Sequence, residues 1–266
     1  MTFVRRSNWS GYGVRQSWRV PFVAMLAACV LGACAATPPA EPVVRDPHPV
    51  ATAATTAPAP DIARWEPDIA AFEASDRHSP PPEGGVVFVG SSSIRMWDTL
   101  ARDFPGAAVI NRGFGGSRVR DSVHYADRIV TAYRPRAVAL YAGDNDLAEG
   151  RTPVQVADDF KAFVQRVRSR QPDLRVAFIA IKPSPSRATL QPAMQAANQA
   201  IGEYARETPG VAFLDVHTPM LDANGQPRGE LFLDDALHMN GAGYVVWADV
   251  VGTWLDGLPD ATSPSR

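Results

Sequence analysis

The chain alternates short apolar runs with longer segments in which apolar residues recur every three or four positions. Short apolar runs are typical of buried parallel strands, and the longer period is typical of amphipathic helices. The pattern predicts strands at residues 86–89, 108–111, 137–141, 175–181 and 211–216. It predicts helices at residues 62–75, 119–133, 153–170, 190–207 and 241–255, and a further helix that begins at Ser92. This alternation predicts one three-layer α/β/α domain with helices on both faces of a five-stranded parallel sheet.

Single residues mark where several of these elements begin. Pro153 stands in the first turn of its helix, where proline is tolerated because that N–H has no partner within the helix. Asn240 precedes the last helix and is expected to cap it. A proline-rich segment at residues 78–82 ends the leading helix before the first strand begins.

The first 33 residues have the pattern of an export signal. Four arginines and no acidic residue lead into an apolar stretch at residues 20–31, which is too short to span a bilayer comfortably. The next residues, Leu-Gly-Ala-Cys at 31–34, resemble the bacterial lipobox, whose cysteine is lipidated and becomes the mature amino terminus. We therefore predict a lipoprotein signal peptide at 1–33 and a lipid on Cys34; an ordinary signal peptide or a retained helix is the alternative.

Residues 34–60 contain eight alanines, seven prolines and four threonines, a composition typical of an extended tether. We assign the globular domain to 61–258 and a disordered tail to 259–266.

Removing the four signal arginines leaves 22 basic and 28 acidic residues, a formal charge of −6. This charge argues against a nucleic-acid-binding surface. The only other cysteine, Cys29, lies inside the signal, so the mature chain is expected to form no disulfide.

Polar residues follow the first three predicted strands. Ser92, the Gly115-Gly116 pair and Asn145 would therefore gather at one edge of the sheet, where ligands bind in open α/β folds. His238 comes from the far end of the chain, and Asp235 precedes it by three residues. A hydroxyl, a base, a carboxylate that orients the base and N–H donors are what acyl transfer requires. The alternative for Ser92 and its neighbouring serines is a simple helix cap.

Four segments in this order resemble the conserved blocks of the SGNH, or GDSL-type, hydrolase family. They are Gly-Ser-Ser-Ser-Ile at 90–94, Asn-Arg-Gly-Phe-Gly-Gly at 111–116, Gly-Asp-Asn-Asp at 143–146 and Asp-Ala-Leu-His at 235–238. The resemblance covers roughly residues 86–250 and implies a flavodoxin-like fold. The serine segment lacks the Gly-x-Ser-x-Gly elbow of α/β-hydrolases, because Ile94 occupies its last position. The family often has Asp at the position of Ser91, a change expected to alter local hydrogen bonds rather than abolish the reaction.

The resemblance implies Ser92 as nucleophile, His238 as base and Asp235 as its orienting carboxylate. It implies an oxyanion hole formed by the amides of Ser92 and Gly116 and the side chain of Asn145. The register of the glycine segment leaves Gly115 as an alternative donor.

Two other residues compete for these roles. His217, beside Asp215, is the other candidate base, and Asp234 is an alternative partner for His238. The histidine and carboxylate spacing matches no metal motif, so neither a metal nor another cofactor is expected.

We expect a serine esterase that hydrolyses short acyl esters, acetyl above all, on small molecules or carbohydrates. Lysophospholipase, thioesterase and acyltransferase activities are alternatives within the family, and a tethered glycan-binding module is an alternative outside catalysis.

We expect the lipid to anchor the enzyme in the bacterial envelope, at the outer membrane and facing the periplasm. No nucleic-acid partner is expected, and the sequence leaves the oligomeric state open. The aromatic residues Trp97, Phe114 and Tyr141 and the segment 182–185 could line a pocket, or Trp97 and Phe114 could belong to the core.

Overall fold

The computed structural model describes residues 60–259. The predicted signal peptide and the predicted lipidation site, Cys34, lie outside the described residues. So do all but the last residue of the predicted tether, and the predicted tail from residue 260. Residue 60, assigned to the tether, is the first residue of a short helix. No helix within 60–259 is long and apolar enough to cross a lipid bilayer.

A five-stranded parallel sheet forms the centre of the domain, as predicted. Its strands are β1 Val86–Gly90, β2 Val109–Gly113, β3 Ala137–Tyr141, β4 Arg175–Ile179 and β5 Val211–Leu214, in the order β2-β1-β3-β4-β5. Gly90 at the end of β1 pairs with Gly113 on one side and Tyr141 on the other. These three strands therefore end in register, and the segments that follow them start at the same edge of the sheet.

Nine α-helices occur in the described part of the chain. They are α1 Pro60–Ala63, α2 Glu66–His78, α3 Ser92–Arg95, α4 Leu100–Asp103, α5 Val119–Ile129, α6 Asp144–Ala148, α7 Pro153–Arg168, α8 Gln191–Glu207 and α9 Gly241–Asp256. Pro153 occupies the start of α7, and the Asn240 side chain accepts hydrogen bonds from two amides of α9. Both predicted helix starts are therefore confirmed.

Several predicted boundaries were wrong. The leading helix is divided at Trp65, whose ring packs edge-on against Phe114. The helix predicted to end at 133 ends at Ile129 and is followed by a 3₁₀ turn. The fourth strand ends before Ile181 because the Asn198 side chain, rather than a neighbouring strand, bonds both the amide and the carbonyl of that residue. The helix predicted from Ser92 is a single turn.

Two hydrophobic cores lie on opposite faces of the sheet. Alternate residues of β1 enter different cores, Val87 and Val89 on one face and Val86 and Phe88 on the other. Helices α5, α7 and α8 cover the first face, and α9 covers the second. All five residues of β1 are buried, so the strand that precedes Ser92 is held by packing on both faces.

Candidate active site

Ser92 lies at the carboxyl edge of the sheet, two residues beyond the end of β1 and at the start of α3. Two glycines allow this turn to lie against the strand ends. Gly90 has a φ of +134°, and a Cβ there would collide with the carbonyl oxygen of Tyr141. A Cβ at Gly113 would collide with the backbone nitrogen of Arg95 in α3. Any side chain at either position would displace the turn that carries Ser92.

The structure brings His238 and Asp235 to Ser92. The Ser92 hydroxyl lies 3.0 Å from His238 Nε2, and His238 Nδ1 lies 2.6 Å from Asp235 Oδ2. A carboxylate only accepts hydrogen bonds, so Nδ1 carries the hydrogen and Nε2 is free to accept from the serine. The bond from His238, together with backbone amides of Leu237 and His238, holds the pKa of Asp235 well below its ordinary value. The carboxylate is therefore charged when it contacts His238, and its 47% exposure to solvent also favours the charged form.

The loop that carries Asp235 and His238 is stabilised by internal hydrogen bonds before α9 begins. The Leu233 amide donates to the carbonyl of His238 at 2.8 Å, and Ala236 between them has a positive φ of 55°. Asn240, the cap of α9, also donates from Nδ2 to the carbonyl of Phe232 at 3.1 Å. The imidazole is thus positioned by a compact loop attached to a long helix.

Asn145 and the glycine loop lie at the same edge. Asn145 is the second residue of α6, and its Nδ2 donates to the carbonyl of Ser117 at 3.1 Å. Within residues 60–259, the amides of Ser92, Gly115 and Gly116 donate to no protein acceptor. Gly116 lines one cleft together with Asn145, which favours it over Gly115 as the loop residue that faces a ligand.

A cluster of charged side chains behind Asn145 was not predicted. Arg187 Nη2 donates to Asn145 Oδ1 at 3.0 Å, and Arg187 Nη1 lies 2.9 Å from Asp144 Oδ2. Lys182 is fully buried, with its Nζ 3.6 Å from the same oxygen. Burial lowers the pKa of Lys182, and Asp144 opposes that shift. The one indication of this cluster in the sequence is the position of residues 182–187. They follow the carboxyl end of β4 and therefore lie at the same edge of the sheet as Ser92.

Two concave surfaces border this edge of the sheet. A cleft of about 370 Å³ is lined by Arg64, Trp65, Gly116, Asn145, Ala148, Glu149 and Arg187. A second groove of about 530 Å³ has a lining that includes Met239, the residue after His238 in the chain. Its apolar lining residues are Met96, Leu233, Met239, Tyr244, Val245 and Ala248. Trp65 comes from the segment before β1, and nothing in its sequence pattern indicated a role at the site.

The competing residues lie elsewhere or make other contacts. His217 is buried, and its Nδ1 lies 2.8 Å from the carbonyl oxygen of Ile181. The neighbouring Asp215 accepts from the amide and hydroxyl of Thr218 rather than orienting an imidazole. Asp234 is exposed, and its neighbour Asp235 makes the contact with the histidine.

The predicted pocket residues prove to be interior ones. Trp97 is buried in a cluster with Phe88, Phe104 and Trp247, and its indole N–H donates to Asp103. Phe114 is fully buried in the other core, and residues 182–184 are buried as well. Among residues 60–259, no group of three His, Cys, Asp or Glu side chains is arranged to hold a metal ion.

A parallel α/β sheet with a serine, a histidine and an aspartate in hydrogen-bond contact at its carboxyl edge has the architecture of a serine ester hydrolase. The model of the GDSL-like Lipase/Acylhydrolase family matches residues 84–246, and this chain belongs to that family. It is an ester hydrolase, and the predicted family is confirmed.

Several individual proteins are similar to this chain in sequence or in fold. Platelet-activating factor acetylhydrolase IB subunit alpha1 of Pongo abelii is 28% identical over 182 residues, which cover 64% of this chain and 74% of that protein. The structure of a GDSL-like lipase from Bacteroides thetaiotaomicron superposes with a TM-score of 0.62 at 20% identity, over 71% of this chain and 97% of that one. A carbohydrate esterase family 3 protein from Talaromyces cellulolyticus superposes with a TM-score of 0.54 at 18% identity, over 65% and 97% of the two chains.

Proposed function

We propose that this protein hydrolyses short-chain acyl esters, acetyl esters above all, with Ser92 as nucleophile, His238 as general base and Asp235 as the orienting carboxylate. The observation that supports this most directly is the continuous contact from Ser92 Oγ through His238 to Asp235, at 3.0 and 2.6 Å. His238 takes the serine proton during attack on the ester carbonyl, and Asp235 stabilises the imidazolium. The alcohol leaves with that proton, and water then releases the acyl group by the same route.

We assign the oxyanion hole to the amides of Ser92 and Gly116 and the Nδ2 of Asn145. These donors are free or partly free within the described residues, and Gly116 and Asn145 share one cleft. Donors aimed at the developing negative charge lower the barrier because they require no reorganisation during the reaction.

The size and lining of the cleft beside Gly116 and Asn145 support a short acyl group and a polar alcohol. Its volume is about 370 Å³, and the charged side chains of Arg64 and Glu149 are available in its lining. Such groups bond readily to hydroxyls, so acetylated carbohydrates are the substrate class we favour. Two of the similar proteins carry matching names, one an acetylhydrolase subunit and one a carbohydrate esterase.

The apolar groove supports a second candidate substrate. Leu233 is 43% and Val245 is 69% exposed, and both line the groove that includes Met239. Apolar side chains that stay exposed in one groove commonly mark a binding surface. An ester whose alcohol carries an alkyl chain, such as a lysophospholipid, could place that chain there.

Hydrolysis of p-nitrophenyl acetate by the purified protein tests the proposed roles. Ser92→Ala should lower kcat toward about 10⁶-fold, the loss known for serine proteases, and Asn145→Ala should lower it about 10²- to 10³-fold. Ser169→Ala is the matched control, because this exposed serine follows α7 at the opposite edge of the sheet, and it should keep the parent rate. A Ser92→Ala protein as active as the parent would overturn the assignment.

The substrate class is tested by comparing acetylated xylan with p-nitrophenyl esters of increasing chain length and with a lysophospholipid. Preference for the acetylated glycan and for acetyl over longer acyl groups is the expected result. Preference for the lysophospholipid would favour the second candidate. Failure of a fluorophosphonate probe to label Ser92 would instead favour a binding module, because such a probe reacts only with an activated hydroxyl.

We further propose that the protein is exported and anchored in the bacterial envelope through a lipid on Cys34. The arginine-rich leader, the short apolar stretch and the cysteine that follows it support this proposal. Labelling of cells with a radioactive fatty acid tests it. Cys34→Ser should abolish incorporation, whereas Cys29→Ser, inside the predicted signal, should retain it; labelled Cys34→Ser protein would refute the anchor.

A further inference from the structure

The side chain of Asn145 is held in one orientation by groups that allow no other. An amide has one accepting oxygen and a nitrogen with two donating hydrogens. Arg187 only donates, so it must face Oδ1, and the Ser117 carbonyl only accepts, so it must face Nδ2. One hydrogen of Nδ2 is thereby left for a ligand. If the amide were flipped, its NH₂ would face a guanidinium and its oxygen would face a carbonyl.

Arg187 itself forms an ion pair with Asp144. Its Nη1 lies 2.9 Å from Asp144 Oδ2, and the side chains of Arg187 and Asp144 are only 18% and 6% exposed. The buried Lys182 lies 3.6 Å from the same carboxylate, so Asp144 faces both Arg187 and Lys182. Of these two side chains, Arg187 is the one that contacts the Asn145 amide.

The segment that carries Arg187 also contacts the other half of the site. The Ser186 amide donates to the carbonyl of Ala236 at 3.0 Å, within the loop that bears Asp235 and His238. The loop after β4 therefore touches both the Asn145 side and the histidine side.

We propose that Arg187, held by Asp144, is a positioning residue for the oxyanion hole: it orients and polarises the Asn145 amide. This inference rests on the proposed role of Asn145 as an oxyanion donor. A cation on Oδ1 strengthens the opposite N–H as a donor. Its benefit is largest when the oxyanion forms, so it acts on kcat rather than on KM. Because Arg187 acts through Asn145, its removal can cost no more than the removal of the Asn145 side chain.

A double-mutant cycle on p-nitrophenyl acetate hydrolysis by the full protein tests the proposal. Arg187→Met should lower kcat about 10- to 100-fold with KM nearly unchanged, and Arg187→Lys, which keeps the charge, should recover part of the loss. In an Asn145→Ala background, the Arg187→Met substitution should have almost no further effect. Arg170→Met, which removes an exposed arginine that pairs with Asp127, is the control for the loss of an arginine and should keep the parent kcat.

Multiplicative losses in the double variant, or a raised KM with unchanged kcat, would overturn the proposal and indicate that Arg187 binds substrate directly. If Arg187→Met does not fold by circular dichroism, Arg187→Gln replaces it in the same cycle, with a smaller loss expected that again disappears in the Asn145→Ala background. A fully active Asn145→Ala protein would refute the proposed oxyanion hole itself. An impaired Asn145→Ala together with a fully active Arg187→Met would overturn only the present inference.

Discussion

Asp146 is a buried carboxylate whose ionisation should make the stability of the protein depend on pH. Its side chain is 0% exposed, and its two oxygens lie 3.2 and 3.3 Å from the amide nitrogen of Val119, which begins α5. Burial raises the pKa of Asp146 to about 7 from an ordinary value of 3.8, and the nearby Asp159 and Asp144 add to this shift. The hydrogen bond from Val119 opposes it, and the Arg151 guanidinium lies 3.9 Å away.

The sign of the effect follows from proton binding. Between pH 4 and pH 7 the folded protein keeps the Asp146 proton while the unfolded chain has lost it, so this residue lowers stability as the pH rises. Between pH 5 and pH 8 the free energy of unfolding falls over about two pH units, by about 1.4 kcal/mol per unit. The expected change is therefore about 2–3 kcal/mol.

Asp146→Asn removes this titration and keeps an oxygen that can accept from Val119. Urea unfolding followed by tryptophan fluorescence at pH 5 and pH 8 measures the difference between variant and parent. The variant should gain about 2–3 kcal/mol on the parent between the two pH values, whatever its offset at pH 5. Asp173→Asn, at an exposed carboxylate, is the control and should show little change. A difference between Asp146→Asn and the parent that does not vary with pH would show that Asp146 does not titrate between pH 5 and pH 8 in the folded protein.

The remaining predictions concern the turn, the loop and the cap that position the site. Gly90→Ala should destabilise the protein by more than about 4 kcal/mol in urea unfolding, because its Cβ would meet backbone; Gly106→Ala, in open space, should change little. Asp235→Asn should lower kcat by about 10⁴ because the amide favours the wrong imidazole tautomer, whereas the exposed Asp234→Asn should retain activity; equal losses would contradict the assignment. Asn240→Ala should lower the free energy of unfolding by about 1–2 kcal/mol, and an unchanged urea midpoint would show that the cap is dispensable.

The fold could be predicted because its strands and helices show their patterns within short stretches of sequence. Buried parallel strands are almost entirely apolar, and helices show their period in the sequence, so the five strands and the main helices were found. The boundaries that were wrong depend on partners distant in the chain. The end of β4, for example, is set by the side chain of Asn198, and the break at Trp65 accompanies its contact with Phe114.

The candidate site was predictable as far as it follows from topology. In a parallel sheet the residues after each strand lie at one edge, so Ser92, Gly116 and Asn145 were expected together. The structure places Gly116 and Asn145 in one cleft and brings His238 to Ser92 across 146 positions of sequence.

The layers of the domain, the family and the polar residues at the strand ends could be predicted from the sequence, because short-range patterns reflect burial and chain direction. The family resemblance implied His238 as the base but left His217 as a candidate. The folded structure resolves this choice, since the two histidines both follow the last strand and differ in the path of the loops that carry them. It also decided that Arg187 faces Asn145 and that Trp97 lies in the core. Such contacts join segments far apart in the chain, and packing fixes them in a way that no local pattern records.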